Sequence, residues 1–350
     1  QNPVTFEDVH FNGNVLTLGS ASTHLKVNDN LTLSGIALET GAGSLSLSGA
    51  LALTDNASLN SSGGTITLKS GGTSTGSVVS LPGTTLVLEK ALSLTGATLK
   101  TNGTTFTTNS NALTLSGGIL EVSGTQNLGG VVPDNSTTLR LAANSTISDN
   151  ASLTVGTLDL ANFALTLDDN MSRLSIAQSL TLDATGEKIV TGAADLSLNG
   201  GISATSGTLS STGGIVSASN LSAGAAGIIN FQGGTLSLPG GATLANGASF
   251  STSNTTLNLG GSLAVAGTWS GSNTTSISLT TDNASLSSTV ALSLASLQTN
   301  GHDFELDSAT TDLTIQNAFA LSGGETLNTH GADLIFESSA DISTESTLDA

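Results

Sequence analysis

The chain has no cysteine and no tyrosine, one tryptophan, four prolines and only seven lysine or arginine residues among 350. Without thiols there is no disulfide framework and no thiolate metal site, a composition that fits an exported bacterial surface protein or any chain that avoids thiol chemistry. The shortage of cations argues against a nucleic-acid partner. Phosphate binding needs a basic stripe, and the chain offers Lys26, Lys69, Lys90, Lys100, Arg140, Arg173 and Lys188, all before residue 190. No apolar run approaches the ~18 residues of a membrane helix, so no membrane insertion is expected. Charged residues make up 9% of the chain, where an ordinary soluble domain has about a quarter. The net charge of −19 is spread along the sequence without blocks of like charge. Such a balance favours solubility and loose cation binding over anionic partners. A mean hydropathy of +0.20 excludes an acidic disordered tail.

What the chain does have is a repeated apolar-x-apolar step. Between Leu18 and Leu38 it occurs three times, as Leu25/Val27, Leu31/Leu33 and Ile36/Leu38. Each pair has the period of two that a β-strand requires. The links Asn28-Asp29-Asn30 and Ser34-Gly35, and a longer one from Glu39 to Ser44, are built from residues that tolerate turn dihedrals. Three strands and three corners make a triangle. The frame returns about every 20 residues, through Leu18, Leu38, Leu59, Val79, Leu99 and Leu120, then through Ile189, Leu209, Ile229 and Phe250. Two late copies, beginning at Leu297 and Leu327, lie roughly 30 residues apart and imply a loop inserted into that turn. A repeat of this length made of strands alone is a β-solenoid. The predicted fold is therefore all-β: a single-stranded right-handed parallel β-helix of about 20 residues per turn, triangular in cross-section, with about 15 to 17 turns stacked at the ~4.8 Å strand spacing.

We read residues 1–350 as one continuous solenoid. Residues 1–17 form an irregular first turn, 18–125 form regular turns, 126–175 form turns with protruding loops, and 176–350 form regular turns with longer insertions near 270–330. The protruding loops are placed at Val131-Val132-Pro133-Asp134-Asn135 and Asp168-Asp169-Asn170-Met171. Asp-Asn-Ala-Ser-Leu recurs at Asp55, Asp149 and Asp282, and Asp-Asn suits a corner because both side chains bond nearby amides. The inward set is expected to include Leu25, Leu31, Leu33, Leu45, Leu47, Ile66, Leu68, Leu86, Leu88, Leu236, Leu238, Leu257 and Leu259. No leader is visible at Gln1, and the chain stops within a repeat at Ala350, so continuation by further turns is expected at both ends.

With Leu-Thr-Leu-Ser-Gly at Leu31 to Gly35 and Leu113 to Gly117, and Leu-x-Thr-x-Gly-x-x-apolar at Leu297 to Phe304, the frame resembles the β-helical stalk repeats of large bacterial adhesins. Filamentous-haemagglutinin-like exoproteins and autotransporter passenger domains are the nearest groups. The resemblance is one of repeat style over most of the chain; it implies export and a structural role at the bacterial cell surface, and it transfers no functional residue. The expected partners are neighbouring copies or further repeats stacked end to end, and a host or neighbouring-cell surface.

Polysaccharide lyases and hydrolases share the β-helix, and they set the rival reading. Their sites need clustered carboxylates, a cation on the same face and aromatic platforms for sugar rings. Asp168/Asp169 and Asp303/Asp307 supply carboxylate pairs, but Arg173 is the only nearby cation and Trp269 the only indole. The histidines, His10, His24, His302 and His330, are far apart in the frame and read as corner residues. No catalytic, cofactor-binding or metal-ligating residue is assigned, and the chain is not read as an enzyme. Structural calcium, as in a surface-layer or sheath component, is the one cofactor for which Asp-Asn corners offer oxygen ligands. The Gly-Gly-x-Gly-x-Asp nonapeptide of calcium-binding β-rolls is absent. Ice binding requires flat, regular Thr-x-Thr faces, whereas Thr32, Thr114, Thr166 and Thr181 are scattered in the sequence.

Overall fold

The computed structural model describes the chain apart from residues 1–3, 8, 13–14, 19–22, 149–151, 170, 283, 308–310, 322 and 350, and at 9–12 it describes the backbone alone. The chain divides into two compact units, Gln1–Ala177 and Gln178–Ala350. Each is a right-handed parallel β-helix, with about 21 residues per turn and about 16 turns in the two together. Among the described residues there is no α-helix, and one short 3₁₀ turn at Ser272–Thr274.

In the first unit one full turn runs through the strands His24–Val27, Leu31–Ser34 and Ala37–Gly41. The next runs through Ser44–Leu47, Leu51–Thr54 and Ser58–Ser61, each strand lying parallel to the one before it on its own face. Alternation places aliphatic side chains inward and Ser or Thr outward. All thirteen residues of the expected inward set are at most 2% exposed. The corners turn where the side chain permits left-handed backbone: Gly35 has φ 65°, and Asp55 and Asn56 have φ 55° and 60°. Of the other copies of that pentapeptide, Asp149–Ala151 and Asn283 lie outside the described residues.

The long-range frame holds with one shift. Leu38, Leu59, Val79, Leu99 and Leu120 stack directly on one another. The rung before them is Leu16, not Leu18. Leu18 lies past the strand Leu16–Thr17, where its N–H donates to the Glu39 carbonyl at 2.8 Å. In the second unit Ile189, Leu209, Ile229 and Phe250 stack in the same way, and Trp269 follows Phe250.

Two expectations are corrected. Val131–Pro133 is a strand paired with Leu113–Leu115, with Val131 and Pro133 buried, and not a protruding loop. Proline is tolerated because this strand ends its sheet, so no neighbour needs its missing N–H. The 30-residue step from Leu297 to Leu327 is a change of face, not one turn with a loop. Leu327 pairs with Phe304, whereas Leu297 pairs with Ile277 on another sheet. The irregular middle has its own cause. The strands Gly118–Asn127 and Thr137–Ser148 stay paired through a corner, with a register shift between Val122 and Gly124, where Gly124 has φ 67°. The sheet then forks, with Thr138–Arg140 pairing to Thr157–Asp159 and Ser145–Ile147 to Leu165–Leu167.

Candidate functional site

The solenoid sorts outward side chains into ranks that run from turn to turn, so chemistry is placed by stacking register rather than by sequence proximity. Thr32 and Thr114, distant in the sequence, belong to one rank with Ala52, Thr73 and Ser93. Another rank carries Glu39, Asn60, Ser80, Lys100, Glu121, Arg140 and Asp159. Within it Asn60 donates to Glu39 at 2.7 Å, Lys100 pairs with Glu121 at 3.3 Å and Arg140 with Asp159 at 2.9 Å. Two of the seven cations are thus spent on carboxylates one turn away. The pairs are part-exposed, so each contributes at most about 1 kcal/mol. Their main effect is to penalise slipped registers that would bring like charges together.

The acids and histidines of the corners are arranged in the same manner. Asp134 gathers several donors onto one carboxylate: the Ser136 N–H and hydroxyl at 2.9 and 2.6 Å, Thr137 at 3.1 Å, and Ser116 at 2.7 Å from the preceding turn. Hydrogen bonds from Ser136 and then Ser116 hold its carboxyl well below the usual carboxylate range. Asp303 accepts from the Thr326 N–H at 2.6 Å, and Asp307 accepts from the Ser285 hydroxyl at 2.8 Å. The two carboxylates proposed as a pair are therefore each tied to a different neighbouring turn. His302 Nδ1 lies 3.0 Å from Asp282, and this contact lowers the Asp282 pKa. His330 Nε2 lies 3.9 Å from Glu305. Each of these histidines faces an acid of an adjacent turn, as a corner residue does. His24 stands exposed at the start of its strand, and the side chain of His10 lies outside the description.

Asp168 closes a tight turn through its carbonyl, which accepts from the Met171 N–H at 2.8 Å, and Met171 is buried. Met171 therefore belongs to the core, and Asn170, at the centre of the protruding loop expected there, lies outside the described residues. Trp269 is no sugar platform. It is 8% exposed, its ring packs 5.2 Å from Phe250, and its Nε1 donates to the buried Thr252 hydroxyl at 2.7 Å. Among the described residues no three His, Asp or Glu side chains converge on a point that could hold a metal ion. No helix among them is long and apolar enough to cross a membrane.

Grooves that collect polar groups include one of about 350 Å³ beside Asn220, Ser222, Thr243 and Ser262, and a second beside Glu325. The latter is a groove of about 370 Å³ in the second unit, lined by Leu297, Gln298, Thr299, Asn300, Ala320 and Glu325 among others. Glu325 is only 4% exposed and accepts the Gly301 N–H at 2.6 Å. Sequence reasoning missed it, because the groove forms where two sheets part and nothing local marks that place. No protein-family model matches the chain, and no curated protein or solved structure matches it.

Proposed function

We propose that this chain is a structural, extracellular element, a stretch of stalk or filament at a bacterial cell surface. The observation that supports this is the stacking itself: Leu38, Leu59, Val79, Leu99 and Leu120 form one aliphatic column and Ile189, Leu209, Ile229 and Phe250 another, each rung covering the one before it. The outermost described rungs are less covered, with Val4 52%, Phe6 45%, Ile342 39% and Leu348 38% exposed.

The rest of the molecule agrees with a role in shape. One outward rank is mostly short hydroxyl side chains and another pairs its charges from turn to turn, Asp303 and Asp307 are tied to neighbouring turns, and the sole indole is packed in the wall. None of these groups is held ready for a substrate. Antibodies raised against the chain are expected to label intact cells of its source, with the label on fibres or surface projections by electron microscopy. Labelling that needs permeabilised cells, or cleavage of a polysaccharide by the purified chain, would overturn the reading.

A further inference from the structure

Five strands of the first unit present a lattice of hydroxyl groups. The strands Leu31–Ser34, Leu51–Thr54, Gly72–Thr75, Leu92–Thr95 and Leu113–Ser116 lie one on the next in unbroken parallel register. Each turns two side chains outward, two residues apart. One rank is Thr32, Ala52, Thr73, Ser93 and Thr114, and beside it runs a second of Ser34, Thr54, Thr75, Thr95 and Ser116. Every position except Ala52 carries a hydroxyl, none is charged and none is buried. Parallel strands lie about 4.8 Å apart and rise about 3.3 Å per residue, so neighbouring positions of the lattice are about 4.8 Å apart in one direction and about 6.6 Å in the other. The face before it in the chain carries a four-strand array that Val87 interrupts and Lys26 ends. The third face carries charge from Glu39 to Asp159.

The chemistry of these groups selects the class of ligand. A hydroxyl both donates and accepts, and the branched Cβ of threonine restricts its χ1, so strand pairing holds the array in place before anything binds. Among the described residues, the hydroxyls of Thr73, Thr75, Ser93 and Thr95 at the centre of the array meet no protein partner. Towards its ends Ser34 and Thr54 donate to Asp55, and Ser116 donates to Asp134. A small ligand needs groups that converge on it, whereas evenly spaced, equivalent groups on one face are matched by a partner that itself repeats. Without charge the face does not select an ionic surface, and these strands contain no aromatic ring on which a sugar could stack. Ice is an uncharged solid whose every molecule donates and accepts, and both spacings of the array lie near oxygen repeats of its hexagonal lattice. One hydroxyl contributes only about 0.5–1.5 kcal/mol, but groups fixed on one rigid face engage together.

We propose that this face binds ice, its two ranks of Thr and Ser taking the place of ordered water at the crystal surface. The assignment stands apart from the structural role proposed above. A dilute solution of the whole chain would be frozen slowly onto a chilled metal finger, and the protein in the ice compared with that left in the liquid, with lysozyme as a protein that growing ice excludes. The chain is expected to enter the ice, and crystals grown in its presence to become faceted. Thr73→Lys combined with Thr95→Lys, both at exposed positions, should melt as the parent does yet be excluded as lysozyme is. If that pair lowers the melting temperature, Thr32→Lys with Thr114→Lys supplies the same loss from other strands. Ser80→Lys, on the third face, should enter the ice as the parent does. Exclusion of the parent, entry of a folded double variant alongside it, or exclusion of Ser80→Lys as well would overturn the assignment. Retention of the parent on microcrystalline cellulose together with exclusion from ice would also overturn it, making the face a glucan-binding surface.

Discussion

Ser74 occupies an inward slot between Leu53 and Leu94, 2% exposed, and its hydroxyl has no hydrogen-bond partner. Beside it Gly72 fills the slot between Leu51 and Leu92, and an added Cβ there would lie 2.4 Å from the Leu51 carbonyl oxygen. This layer is therefore thin and carries a desolvated polar group, whose burial costs about 1–3 kcal/mol. Replacing Ser74 by Ala removes the hydroxyl and leaves a void smaller than a methyl group. The substitution should raise stability by roughly 1 kcal/mol, read as a higher urea midpoint at unchanged slope. A lower midpoint would show that the hydroxyl is bonded after all. Leu47→Asp is the opposite case: Leu47 is fully buried between Val27 and Leu68. An unpaired carboxylate in that stack should cost at least about 3 kcal/mol, and a midpoint within error of the parent would refute the register.

The corner is the element that ties one turn to the next, and Asp134 shows how. Its folded-state pKa is depressed, first by Ser136 and then by Ser116 of the turn below. The stability it contributes is complete above the unfolded value of about 3.9 and is lost as pH falls through the lower folded value. Amide protection around residues 116–137, taken relative to the unfolded chain at the same pH, should fall as the medium is acidified below about pH 4. In Asp134→Asn the same amides should exchange faster at neutral pH and lose that acid dependence; an unchanged profile would remove Asp134 from the corner. How far such elements are legible in the sequence depends on what encodes them. The columns Leu38 to Leu120 and Ile189 to Phe250 could be read directly, because aliphatic pairs repeat at the length of a turn and nothing else produces that spacing. Leu16 and Leu18 could not be told apart, since Leu16-Thr17-Leu18 offers two equivalent inward frames. Leu297 and Leu327 lie on different faces, yet all three faces use the same alternation, so a strand does not declare which face it belongs to. Val131–Pro133 forms a strand where a loop is expected, because the edge of a sheet demands no donor from Pro133. The partners of Asp134 and the groove at Glu325 depend on which residues lie one turn away, a property of the stack that no local pattern carries.

At the scale of the whole molecule the open layers decide what kind of assembly is feasible. Fully burying a Val, Leu, Ile or Phe side chain stabilises by about 1.5–3 kcal/mol, so a side chain that is already half covered gains roughly 1 kcal/mol. Covering Val4, Phe6, Ile342 and Leu348 together therefore yields only about 4 kcal/mol from apolar area. Edge pairing adds about 0.5–1.5 kcal/mol for each hydrogen bond, and Thr347–Asp349 and Val4–Phe6 are both outermost strands of their sheets. Against this stands an association cost of about 4–15 kcal/mol for lost translation and rotation. Separate molecules should consequently join weakly, whereas turns linked in one chain meet at the high effective concentration that a tether confers. Sedimentation velocity of the isolated chain is expected to show mainly single molecules at micromolar concentration, with larger species appearing only on strong concentration. In Phe6→Glu combined with Leu348→Glu those species should vanish. Because both positions are already part-exposed, the melting temperature should fall far less than in Leu47→Asp. Tight assembly of the unaltered chain at micromolar concentration would contradict this energetic argument, and identical sedimentation of parent and double variant at every concentration would sever association from the outermost rungs.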